Sequence, residues 1–171
     1  MHLPLHVGQQ LRDLIEVTKP GLLSIEESSA SVKPFADKWS LKEILGHLID
    51  SAANNHQRIV RMQEIADLGT FGYSQQHWVN SQGYLEERWE DLVQFWCSYN
   101  AHLAHVISRV DEACLDNVCD MGYSQEATLS FVIQDYVRHV HHHLDQIFSN
   151  ADPRQRTLWI QHPPSESRGE S

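Results

Sequence analysis

Apolar residues recur along this chain at intervals of three and four, the spacing that gives a helix one buried stripe, and no segment sustains the alternation of a strand. The first helical pattern runs from Leu5 to about Val17 and then meets Lys19-Pro20-Gly21. The proline lacks an N–H and its ring clashes with the preceding turn, which predicts an end or a kink there before a short extension through Leu22, Leu23 and Ile25. Ser28 to Asp37, with Pro34, reads as a loop. Ser40 and Glu43 stand at capping-box spacing and open a second helix, whose stripe of Leu41, Ile44, Leu45, Leu48, Ala52 and Ile59 persists to about residue 66. A third covers Glu86 to Val110 with Trp89, Leu92, Val93, Trp96, Tyr99, Leu103, Val106 and Val110, and a fourth covers Ala127 to Ser149. The connections Gly69–Gly83 and Asp111–Gln125 are too long for tight hairpins; loops of that length in a compact domain commonly form a lid or a site.

Four amphipathic helices in 171 residues predict one all-α domain, a four-helix bundle with long connections after helices two and three. The bundle occupies 1–150. Residues 151–171, with Pro153, Pro163 and Pro164, read as a loosely attached C-terminal tail.

Charge and composition narrow the function. Thirteen Lys and Arg against 23 Asp and Glu leave a formal charge of −10, so the basic footprint of a nucleic-acid-binding protein is missing. No apolar run approaches the roughly 20 residues of a membrane helix, and the first ten residues lack the basic and apolar regions of a signal peptide. Cys97, Cys114 and Cys119 form an odd, loosely spaced set without a C-x-x-C, which predicts small apolar roles and a cytoplasmic location. Neither a glycine-rich phosphate loop nor a paired Cys–His nucleophile is present, and a small molecule is the expected partner. Phe131 and Phe148, placed on the outer face of the fourth helix, point to a homodimer.

Histidine is the unusual residue, with 12 copies. On the fourth helix the stripe Leu129, Ile133, Tyr136, Val140, Leu144 and Ile147 defines the inward direction. At 100° per residue, His143 lies about 60° and His139 about 100° from its centre on the same side, whereas His141 falls on the other side and His142 almost opposite. His139 and His143 therefore stack one turn apart at the rim of the core. On the second helix His47 lies about 100° from Leu48, again at the rim, and His102 on the third helix is an equal rim candidate. Three neutral imidazoles leave a divalent ion with an open coordination position, and imidazole suits zinc, nickel, copper and iron alike.

The segment Trp39-Ser40-Leu41-Lys42-Glu43-Ile44-Leu45-Gly46-His47-Leu48-Ile49-Asp50-Ser51 resembles the second-helix signature of the DinB-like (DinB/YfiT) superfamily. His139-x-x-x-His143-Leu144-Asp145-Gln146-Ile147 resembles its fourth-helix signature, and Gln76-His77-Trp78-Val79-Asn80-Ser81-Gln82-Gly83-Tyr84 resembles a subgroup. The resemblance implies a four-helix bundle in which His47, His139 and His143 hold a divalent metal, zinc or nickel, and it sets His102 aside. It also implies a metal-dependent hydrolase, or a transferase using a low-molecular-weight thiol such as bacillithiol, mycothiol or glutathione. The alternative is a non-catalytic, stress-associated metal-binding protein. The crowded His141-His142 pair departs from the motif and offers room for an adventitious second ion.

Around such a site, Gln146 follows His143 by three residues and is placed to orient it. Tyr73, Trp78 and Tyr123 in the long connections are candidate walls of a substrate pocket, and Arg58 on the rim of His47 is a candidate for an anionic substrate. Asp50 and Asp135 are expected to point outward as solvated helix charges.

Overall fold

The computed structural model describes residues 2–122 and 125–151. Its four long helices are α1 (Leu3–Leu23), α3 (Leu41–Arg61), α5 (Trp89–Ser108) and α6 (Leu129–Asn150), the predicted bundle. Two short helices, α2 (Glu27–Ala30) and α4 (Gln75–Gln82), and three strands, β1 (Asp67–Thr70), β2 (Val118–Asp120) and β3 (Glu126–Thr128), lie in the connections. The C-terminal tail from residue 152 lies outside the described residues.

Packing is not in chain order. α1 lies against α5 and α6, and α3 lies against the same two, so the first two long helices are diagonal across the bundle. This places α3 beside α6. The inward stripes of all four helices meet in one core, with Leu11, Ile44, Leu48, Trp96, Leu103, Val140 and Leu144 fully buried.

Two expectations need correcting. α1 does not end at Pro20 but runs through it to Leu23. Pro20 is exposed and sits in the last turn, and Glu16, the residue whose carbonyl it cannot pair, is exposed too, while buried Gly21 and Leu22 hold that turn in place. Phe148 is not on the surface. It is 1% exposed, and a Cβ on Gly21 would meet its ring at 2.9 Å; only Phe131 remains exposed, with the Arg138 guanidinium 5.4 Å from its ring centre.

The long connections are fastened rather than loose. β1 pairs in parallel with β2, and β2 pairs antiparallel with β3, so both connections are tied at one end of the bundle. The strands are three or four residues long and bury only Cys119 and Ala127, which leaves too little alternation to read. Beyond β1, Gly72 passes within 3.3 Å of where a Cβ on Gly122 would stand, and Gly122 has φ +97, a left-handed conformation that favours glycine.

α3 opens with the predicted capping box: the Ser40 hydroxyl accepts from the Glu43 N–H, and Glu43 accepts from the Ser40 N–H at 2.8 Å. Every residue from Leu41 to Ala52 is buried, not one stripe only. The reason is α4 and the 3-10 turn Tyr84–Glu86, which cover the face the wheel assigned to solvent. Tyr84 lies directly on Gly46, where a Cβ would fall 2.1 Å from the ring. Gly46→Ala is therefore expected to destabilise the fold by about 2 kcal/mol, overpacking outweighing the helix propensity that alanine adds. In a chain of this size that corresponds to a melting temperature lower by roughly 4–8 °C. In a Tyr84→Ala background the same substitution should cost nothing, and calorimetric or circular-dichroism melts of the four proteins check this coupling.

Candidate metal centre

The adjacency of α3 and α6 brings His47 of one against His139 and His143 of the other. Their ring centres lie 5.1 Å (His47–His139), 4.7 Å (His47–His143) and 4.6 Å (His139–His143) apart. One ligating atom from each lies within 4.8 Å of the other two, and no fourth His, Cys, Asp or Glu joins the group among the described residues. His47 is fully buried; His139 and His143 are half-buried. The half-buried Trp39 ring lies 5.2 Å from that of His47.

Burial fixes the protonation state. Desolvation, with the neighbouring rings adding to it, pushes His47 down to about 3, and desolvation pushes His139 down to about 4. His143 is lowered as well, chiefly by burial, although its hydrogen bond to Gln146 opposes this. At neutral pH all three are uncharged rings with lone pairs available.

The nitrogens are arranged as a cation would require. Nε2 of His47 and Nε2 of His139 stand 3.1 Å apart. Two imidazoles on one tetrahedral zinc, with bonds of about 2.05 Å, hold their nitrogens roughly 3.3 Å apart, so the spacing fits a shared ion. Nδ1 of His143 lies 3.0 Å from the Gln146 amide oxygen, which places the proton on Nδ1 and leaves Nε2 free. Nδ1 of His47, the ring nitrogen that does not face His139, is buried with no hydrogen-bond partner.

Other candidates lie elsewhere. His102 packs its ring against His56, 5.4 Å away, on the α5 side of α3. His142 is exposed, and His141 is paired with Asp145 at 3.1 Å. Arg58 is buried, and its guanidinium donates twice to the Phe71 carbonyl, at 2.9 and 2.6 Å, and once to Asn55. It clamps the chain leaving β1. Tyr73 and Trp78 are half-buried and pack edge to face at 5.5 Å. Tyr123 lies outside the described residues. Cys97 and Cys119 are buried and Cys114 is half-buried; all three are free thiols, and burial pushes Cys97 up to about 11.

Asp50 is the misplaced expectation. It is not a solvated charge but 1% exposed, accepting from the Tyr84 hydroxyl at 2.6 Å. Gly46, a glycine within a helix interior, was the one sequence signal that something large lay against that face.

The model of the DinB superfamily matches residues 10–147. Among solved structures, the fold is similar to that of YfiT from Bacillus subtilis, described as a probable metal-dependent hydrolase with an unusual four-helix bundle topology. The TM-score is 0.74 and the identity 14%, over 91% of this chain and 85% of YfiT. It is also similar to YjoA, a DinB-like protein from Bacillus subtilis, with a TM-score of 0.59 and 16% identity over 94% of this chain and 95% of that one. No curated protein matches the chain. Among the described residues, no helix is long and apolar enough to cross a membrane.

A pH dependence follows from the depressed imidazoles. Unfolding exposes rings that bind a proton near the ordinary 6.5, whereas the folded chain resists protonation of His139 until about 4. The unfolded state thus holds more protons between these values, and stability falls as pH drops through that window. Thermal melts in chelator from pH 7.5 to 4.5 should show this fall, and the slope should flatten in His139→Gln. Equal slopes would mean that the rings are solvated.

Proposed function

The chain belongs to the DinB superfamily, and from that premise we propose that it is a metal-dependent enzyme acting on small molecules, a hydrolase or a thiol S-transferase. His47, His139 and His143 would hold the divalent cation. The observation that carries this reading is the meeting of three uncharged imidazoles, one buried and two half-buried, two of them with Nε2 atoms 3.1 Å apart. A cation held there supplies a Lewis acid that makes water or a thiol a competent nucleophile at neutral pH.

The chain's own residues supply the rest. Gln146 keeps the proton of His143 on Nδ1, so that Nε2 faces inward without having to lose it. Trp39 covers the His47 ring on one side and limits the water that reaches it. Desolvation keeps the rings from being protonated in the range where the cofactor is needed. Three nitrogen donors without a fourth residue among those described suit an ion with an open position, as in a catalytic site, rather than the closed four-ligand shell of a structural ion; zinc or nickel is the ion proposed from the family resemblance. The Tyr73–Trp78 pair is the proposed wall for the acceptor substrate.

His139→Ala is expected to remove most of the bound metal and to lower turnover on the order of 100-fold or more, with a circular-dichroism spectrum like that of the parent. Exposed His142→Ala should change neither. Gln146→Ala should weaken metal binding roughly tenfold. Metal content is measured by mass spectrometry on untagged protein, and turnover with an electrophile offered each thiol in turn and then with ester and amide substrates. Metal-dependent loss of thiol supports transfer, and hydrolysis without thiol supports the hydrolase. Collapse of the fold on demetallation, with no turnover on any substrate, would instead favour the non-catalytic alternative.

A further inference from the structure

Three residues beyond His47, α3 carries a second buried group whose chemistry the metal centre does not use. Asp50 is 1% exposed. Its Oδ1 accepts from the Tyr84 hydroxyl at 2.6 Å and from the Gln82 amide at 3.2 Å, whereas its Oδ2 is buried and has no hydrogen-bond partner. These partners are neutral, and a carboxylate taken out of water without a cation is costly to hold. Burial accordingly pushes its carboxyl upward, against the effect of the two hydrogen bonds.

Asp50 lines a half-open cavity of about 430 Å³ between α3 and α5. Leu92, Phe95 and Tyr99 form the α5 wall, and Glu87 and Asp91 bring two further carboxylates to the same cavity. Phe95 and Tyr99 stack with their planes 4° apart and their centres 5.9 Å apart, giving a flat aromatic surface. The cations nearby are engaged. Lys42 pairs with Glu27 and donates to the Glu87 carbonyl, and Arg88 lies 3.4 Å from Glu90 and 3.7 Å from Asp91 on the exposed rim.

We propose that this cavity binds an aliphatic diamine, with one ammonium group at Asp50, the methylene chain along Leu92 and the Phe95–Tyr99 surface, and the second ammonium at Glu87 and Asp91. The volume is that of a small-molecule site. Acidic groups joined by apolar and aromatic walls suit a cation with a hydrocarbon middle. A hydrated divalent metal instead seeks oxygen on every side. The net charge of −10 draws cations towards the protein. This inference does not rest on the metal-dependent reading.

Calorimetric titration of the full chain with 1,4-diaminobutane at constant ionic strength tests it. Saturable one-to-one binding is expected, about fivefold tighter than that of butylamine. Asp50→Asn should weaken it by about tenfold or more, Phe95→Ala by roughly threefold and Glu87→Gln by about fivefold. Affinity should be unchanged in His139→Ala, which separates this cavity from coordination of the amine at the imidazoles. The proposal is overturned by an absence of saturable binding, by undiminished affinity in Asp50→Asn, by loss of binding in His139→Ala, or by displacement of the diamine by magnesium at equal charge. If Asp50→Asn does not fold, Phe95→Ala and Glu87→Gln decide the matter. Both alter exposed side chains, and unchanged affinity in both overturns it equally.

Discussion

Three imidazoles withdrawn from water at one helix–helix seam are the constraint around which this fold is arranged. A buried imidazole is tolerable only when neutral, and a neutral imidazole still presents one donor and one acceptor that the interior must answer. Gln146 answers one of these atoms on His143. Nδ1 of His47 goes unanswered, and the facing Nε2 atoms of His47 and His139 have only each other. A core selected for stability alone would fill this seam with leucine, as it does at Leu48 and Leu144 on either side. The polar seam is intelligible as a place kept for a cation.

That seam exists because of topology. Sequence-adjacent long helices usually pack side by side, but here α1 and α3 are diagonal and each is flanked by α5 and α6. α3 thereby gains α6 as a neighbour, 68 residues further along the chain (61 to 129). Such a non-local pairing has to be held in register, since a slip of one helical turn would part His47 from its partners. The small sheet does part of this holding. β1 follows α3, β3 leads directly into α6, and β2 joins them; the Asn117 amide adds a bond to the Met62 carbonyl at the end of α3. Arg58 contributes from the same end by holding Phe71. The elements furthest from the imidazoles in appearance are thus the ones that fix their register.

The four long helices and the histidine seam were legible because each leaves a periodic trace: apolar stripes at 3.6-residue spacing, and His139 and His143 one turn apart on a single rim. Choosing His47 over His102 was beyond periodicity, since both sit at a rim and only the order of packing around the bundle decides which rim faces α6. The short elements left no trace at all. α4 buries Val79 alone, so it has no stripe to read, and three-residue strands cannot show an alternation. Asp50 was misplaced because a helix read alone has one buried face and a charge off that face is assigned to water, whereas α3 is enclosed on both sides over its first three turns. Arg58 lies beyond those turns and is buried where it holds the Phe71 carbonyl and Asn55.

The enclosure of α3 also explains why its two unsatisfied groups lie only one turn apart. His47 turns to α6, and Asp50 turns towards Tyr84, Gln82 and the α5 cavity, so one helical turn presents a buried base on one flank and a buried acid on the other. They are not paired with each other: Nδ1 of His47 and Oδ2 of Asp50 each lack a partner. Had they been joined, the acid would have neutralised the need for an external cation on its own side and raised the basicity of the ring on the other. Gly46 immediately precedes His47, and the Tyr84 ring packed on it brings its hydroxyl to the Asp50 carboxyl. A single close contact between a glycine and an aromatic ring thus sets the hydroxyl that Asp50 accepts from, on a different flank of α3 from the imidazole seam.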